Sequence, residues 1–166
     1  VNSDRSTYAD LHDIFPSADL IFTSGSTFMT RPMMNQEENG PFVFSSGREG
    51  RYLNQVDVSF IDESDRMVNR SYYEAKIRYL KKRIERYQDK DPTISLDDLY
   101  ADSPNILANI RSNRETIKEM EGVLSLRTNS ISFQNVAMES KIKDDPEMLE
   151  HVNRALEQCN NLIMRQ

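Results

Sequence analysis

Three stretches of the chain place apolar side chains at alternating spacings of three and four residues, and this rhythm restricts the fold more than any other feature. The first stretch holds Tyr73, Ile77, Leu80, Ile84 and Tyr87; the second holds Ile106, Ile110, Asn113, Ile117, Met120 and Leu124; the third holds Leu149, Val152, Leu156, Cys159 and Ile163. A 3.5-residue repeat keeps one stripe of an α-helix turned toward a neighbouring helix along its whole length. Helices of this length are marginal alone in water, because nucleation is costly, so each stripe must be covered by packing. The three runs are therefore expected to be helix interfaces.

Local signals set the boundaries. Ser71-x-x-Glu74 is a capping-box pattern that starts the first long helix, and Asp91-Pro92 stops it. Ser95 caps a short turn of helix, and Ser103-Pro104 opens a second long helix running to about Leu126, with Gly122 weakening its last turn. Residues 131–143 read as a weaker helix resting on Ile131, Val136 and Ile142, and Asp145-Pro146 opens a final helix to Met164.

The flanks of the stripes differ. Beside the first lie Glu74, Lys76, Lys81, Arg83, Gln88 and Lys90, so two parallel copies would oppose like charges at a cost of a few tenths of a kcal/mol per pair. That helix prefers a partner with acidic flanks, or an antiparallel one. Leu107 and Val123 widen the second stripe, and Met148, Ala155 and Leu162 widen the third, which suits a bundle of three or four helices. Asn113 occupies a seam position, where it either fixes register against its own copy or marks a drift of the stripe toward solvent.

The first 65 residues lack a helical period and hold four of the five glycines and six of the seven phenylalanines. Leu11, Ile14 and Phe15 share the face of a short helix ended by Pro16. Phe42-Val43-Phe44, a turn over Ser45–Gly50, and the alternation of Val56, Val58 and Phe60 with Asp57 and Ser59 read as a β-hairpin. The turn signal Asn39-Gly40 follows Glu37 and Glu38. The expected fold class is thus mainly α: a helical bundle or coiled-coil module over residues 66–166, preceded by a loop-rich N-terminal arm over residues 1–65. The arm's Phe side chains, with Met29, Met33 and Met34, either dock onto a neighbour or cover the chain's own helices.

Only 37% of the 166 residues are hydrophobic, against roughly 45 to 50% on a count that includes glycine, which favours elongated helices over a large spherical core. No apolar run approaches the roughly 18 to 20 residues that span a bilayer, so no membrane partner is expected. The single cysteine excludes an intrachain disulfide and a cysteine-based metal site, and points to a reducing intracellular setting, cytoplasmic or inside an assembled particle. The chain begins at Val1 without a methionine, which fits a processed product or an excerpt.

The net charge of -6 is unevenly spread: residues 1–65 carry -7, residues 66–90 carry +6 and residues 91–166 carry -5. The basic segment contains Lys76, Arg78, Lys81, Lys82, Arg83 and Arg86 with Tyr72, Tyr79 and Tyr87, which would suit phosphates and stacked bases. The acid on either side, and the use of two of its tyrosines as seam positions, favour helix pairing over nucleic acid.

Catalytic chemistry is sparse. His151 and Cys159 stand two turns apart on one helix, and His12 sits between Asp10 and Asp13 in a turn-forming cluster. Neither Thr23–Thr27 nor Gly47–Gly50 has the spacing of a phosphate-cradling loop, and Asn69-Arg70-Ser71 matches a glycosylation tripeptide of low specificity. No catalytic residue, metal ligand or cofactor is expected. The sequence reads as a non-enzymatic structural or assembly protein that oligomerises through its helical seams and docks its arm on a neighbouring subunit, a design shared by virus particles. The alternatives are a nucleic-acid-associated helical dimer and a regulatory adaptor that takes a partner's helix in a groove.

Overall fold

Residues 42–45 set the layout because they are buried on both faces. The computed structural model describes residues 2–24, 26–34, 36, 40–48, 50–63, 67–139 and 141–163, the side chains of Leu162 and Ile163 excepted. Of the turn signal Asn39-Gly40 and the two glutamates before it, Glu37, Glu38 and Asn39 lie outside the described residues. Strand β1 (Leu20–Thr23) and strand β2 (Phe42–Ser45) pair in parallel, Leu20 opposite Phe42 and Thr23 opposite Ser45. On one side of β2, Val43 packs with Ile21 and with Leu11 of helix α1 (Tyr8–Ile14). On the other, Phe42 and Phe44 pack with Ile131 and Phe133.

The second sheet has three strands in the order β3, β5, β4: Tyr52–Ser59, Ser130–Ala137 and Val68–Asn69. Strand β4 runs parallel to β5, with Val68 opposite Ser130 and Asn69 opposite Ile131. Long helices α2 (Arg70–Gln88) and α4 (Pro104–Ser125) flank the short α3 (Leu96–Leu99). A last helix, α5, spans Pro146–Ile163. The chain divides into two compact units, residues 1–136 and residues 137–166.

With five α-helices and two sheets among the described residues, the fold is mixed α/β, which overturns the expectation of a mainly α bundle or coiled-coil module. Two local readings change with it. Residues 130–137 form a strand, not a weak helix, because Ile131 and Phe133 stand two apart and enter the core together while Gln134 faces solvent. The expected hairpin supplies two real strands that do not pair, since β2 and β3 belong to different sheets. A strand buried on both faces needs its backbone groups paired by a neighbour, and Leu20–Thr23, with Ile21 and Thr23 buried, provides one. Gly47 and Gly50, at φ of +79° and +62°, turn the chain away between them.

Buried polar groups tie the layers together. Ser71 Oγ donates to the carbonyl of Phe133 (3.0 Å) and accepts from the Phe133 N–H (2.7 Å), so the start of α2 is bonded to the middle of β5. The serine expected to cap the helix is therefore used elsewhere, and Asn69 caps α2 by accepting from the Tyr72 N–H at 3.1 Å. Asn129, 1% exposed, accepts from the N–H groups of Ile61 and Asp62 and donates to the Asp62 carbonyl. Thr30, 3% exposed, bridges the Val43 carbonyl and the Ser45 N–H, and its own carbonyl accepts from Asn135 Nδ2 at 2.8 Å.

Two outcomes follow from this framework. Phe44 is fully buried, with its ring 4.9 Å from that of Phe133 in an edge-to-face pair, so Phe44→Ala should cost about 3 to 5 kcal/mol in chemical denaturation. A cost below about 1 kcal/mol would mean that residues 42–44 do not share a core with residues 131–133.

In the loop after α2, Asp91 accepts from the Thr93 hydroxyl (2.6 Å) and N–H (2.9 Å), and these bonds hold its carboxyl below the ordinary value of 3.8. The folded pKa is lowered, so the contribution of this turn is present above 3.8 and is lost as pH falls through the lower folded value. In an NMR titration the Thr93 amide should shift with a midpoint below 3.8; a midpoint at or above it would exclude the turn.

Candidate functional site on the helix faces

Helices α2 and α4 cover each other's stripes within one chain. Ile77, Leu80 and Ile117 form a buried cluster with Ile84, Met120 and Leu124 packed around it. A second cluster joins Ile110 to Leu96 and Tyr100, with Ile84, Tyr87, Ile106 and Leu107 against it. Arg70, at the start of α2, donates to the Leu124 carbonyl near the end of α4 (3.1 Å), whereas Tyr87, near the end of α2, packs in the cluster around Ile110. The pair is antiparallel, and Lys81 meets Glu121 at 2.8 Å, so basic flank faces acidic flank. This exposed ion pair contributes well under 1 kcal/mol, and the apolar seam holds the helices together.

Tyr73, at the head of the first stripe, is half-buried and stacks edge-to-face on Tyr72, with ring centroids 5.5 Å apart. Asn113 is 8% exposed between Ile110 and Ile117 on α4, and its Nδ2 has no hydrogen-bond partner among the described residues. It is a buried seam residue, in a seam closed within the chain.

The six basic residues of α2 are distributed by this packing. Lys81 is paired with Glu121, Lys76 lies over the Tyr79 ring at 5.9 Å, and Arg83 is half-buried. Arg78, Lys82 and Arg86 are exposed, four residues apart on one face turned away from α4, and none has an ion-pair partner among the described residues.

Helix α5 presents a different surface. Met148, Leu149, Val152 and Leu156 are 62%, 43%, 43% and 56% exposed, and Cys159 is exposed as a free thiol. The Ile163 side chain lies outside the described residues. Asp145 caps the helix by accepting from the Met148 N–H at 2.9 Å, and Arg154 pairs with Glu150 at 3.3 Å away from the apolar stripe. This stripe is uncovered within its own unit.

Among the described residues no three His, Cys, Asp or Glu side chains gather as metal ligands, and no helix is long and apolar enough to cross a membrane. One assembly had no linear signature: Arg31, Arg48 and Arg51 line a single cleft with Tyr52. Only the two glycines of the Ser45–Gly50 turn mark its position in the sequence, by allowing the chain to double back.

The architecture thus defines a mixed α/β chain bearing a closed antiparallel helix pair and an amphipathic helix with a bare stripe. No family model matches the chain, and neither a curated protein nor a solved structure matches it.

The seam makes one direct prediction. Replacing this amide, whose Nδ2 is buried without a partner among the described residues, by an apolar side chain of similar branching removes a desolvation penalty, so Asn113→Leu should raise stability by about 1 to 2 kcal/mol in thermal or urea unfolding. A loss of more than about 1 kcal/mol would show that the amide is satisfied in solution.

Proposed function

We propose that the chain is a non-enzymatic assembly protein that associates with copies of itself through α5. The observation that carries this reading is the bare stripe of Leu149, Val152, Leu156 and Cys159 on a helix forming its own compact unit. The flanks favour a second copy as the covering partner. One side of the stripe carries Met148 and Ala155, the other Asn153 and Asn160, while Glu147, Glu150, Arg154 and Glu157 occupy outer positions. Identical helices therefore meet without the like-charge repulsion that two copies of α2 would suffer. The added apolar flank suits three or four helices better than two. The α2 and α4 stripes, already closed on each other, are not needed for assembly.

The docking half of the reading rests on fewer side chains than composition implied. Phe42 and Phe44 fill the chain's own core, whereas Phe15, Phe22, Phe28, Met33 and Phe60 remain exposed and are arm residues available to a neighbouring subunit.

Light scattering coupled to size-exclusion chromatography tests the proposal on the full chain at tens of micromolar, about where weak coil interfaces dissociate. The wild type should run as an oligomer and the Leu149→Glu/Leu156→Glu variant as a monomer, with the cooperative unfolding of residues 1–136 unchanged. A monomeric wild type would end this reading in favour of an adaptor that receives a foreign helix. Mild oxidation reports direction: in parallel, in-register pairing Cys159 meets its own copy and forms a covalent dimer, and in antiparallel pairing it does not.

A further inference from the structure

The first 65 residues carry eleven acidic and four basic side chains, yet the fold brings the four basic ones, Arg5, Arg31, Arg48 and Arg51, around one place. Arg31, Arg48 and Arg51 line a cleft of about 270 Å3, and Arg5 lies 4.0 Å above the ring of Phe28, which forms part of the same wall. Among the described residues no carboxylate lines the cleft. The backbone explains the convergence: Met29 and Ser46 form an antiparallel bridge that lays residues 27–31 beside the Ser45–Gly50 turn, and positive φ at Gly47 and Gly50 turns the chain on either side of Arg48.

Three guanidiniums lining one cleft favour an anion placed among them. Arg48 and Arg51 each make a further interaction within the chain. A guanidinium has five N–H donors, so an existing partner leaves others for a ligand, and its planar fork matches phosphate oxygens two at a time.

Beside the cleft is a second hollow of about 210 Å3, and Ser46 and Tyr52 line both. Phe22 and Leu53 line that hollow, and Tyr52 and Phe22 are 38% and 52% exposed. Flat apolar surface next to a phosphate-binding cluster is the recognition chemistry of a nucleotide. We propose that this cleft binds a nucleotide, its phosphate held by Arg31, Arg48 and Arg51 and its base laid on Tyr52, with Phe22 beyond. A free nucleotide and one unit of a single strand share this chemistry.

Equilibrium binding to the full chain at about 50 mM salt tests the proposal, with a fluorescent single-stranded RNA 12-mer in one arm and adenosine and uridine monophosphates in the other. Binding of the monophosphates identifies a free-nucleotide site, and binding of the 12-mer alone identifies a single-strand site; both support the proposal. Arg31→Gln and Arg51→Gln should each weaken binding about ten- to hundredfold. In the 12-mer arm each should also lower the log–log salt slope by about 0.7, a change that a merely structural role would not produce. Tyr52→Ala should weaken binding by about fivefold or more, and Tyr52→Phe should restore it. All three residues are exposed, so the thermal midpoint should be unchanged.

Arg78→Gln/Lys82→Gln/Arg86→Gln, on the exposed face of α2, should leave binding intact. The proposal is overturned if neither ligand binds, or if the α2 variant abolishes binding while the cleft variants retain it.

Discussion

The packing of Phe42 and Phe44 against Ile131 and Phe133 is the contact on which the rest of the fold depends. It joins segments almost ninety residues apart, and its cost is the chain entropy of closing that loop, which grows only slowly with length. Once β5 is held beneath β2, two further attachments become available. Strand β4 lies along β5, and β3 occupies its other edge. The chain between β4 and β5 is then confined at both ends, and it uses the interval for α2, α3 and α4. The helix pair is thus an excursion from a sheet, and its antiparallel direction follows from having to return to where it started.

The junction between sheet and helices is polar, and its chemistry explains why. The first turn of a helix carries unpaired N–H groups, and the end of a short strand carries unpaired ladder groups. At Asn69–Ser71 both problems occur within three residues in a buried place. Asn69 satisfies a helix donor with its own side chain, and Ser71 uses one hydroxyl as both donor and acceptor toward Phe133. An apolar residue at either position would leave a buried backbone group without a partner, a penalty of about 1 to 3 kcal/mol. Asn129 and Thr30 do comparable work where loops cross the sheets.

The long helices were legible because their signal is local: Ile77, Leu80 and Ile84 declare a covered face by spacing alone, and the basic flank of α2 already called for an acidic or antiparallel partner. The sheets were not legible for the opposite reason. Leu20-Ile21-Phe22 is too short to announce a strand, and its partner begins at Phe42, with no hairpin turn to link the two in sequence, because parallel strands need a long crossover. In residues 130–137 a period of two was present in Ile131 and Phe133, but the more distant Val136 and Ile142 suggested a helix. The Ser71-x-x-Glu74 pattern misplaced the cap by two residues, since tertiary bonding claimed the serine and Asn69 caps the helix. The arginine cleft left no trace in the spacing, because residues 31, 48 and 51 meet only after the turn and the bridge have formed.

Three stripes with one rhythm therefore meet two fates, and charge at their edges separates them. A stripe of this kind is indifferent to which apolar partner covers it, since burial is non-directional; selectivity comes from the residues alongside. Basic flanks on α2 and Glu121 on α4 make that pairing better than either helix with its own copy, and the short connection through α3 supplies the partner at high effective concentration. Helix α5 lacks both devices. Its flanks carry no charge to choose a partner of opposite sign, and among the described residues its own unit contains no second helix. Neutral flanks cannot discriminate against self, and every copy of the chain brings the same stripe at the same concentration. The surface least able to choose among partners is thus the one best suited to repetition, which is the property an assembly requires of a contact between its subunits.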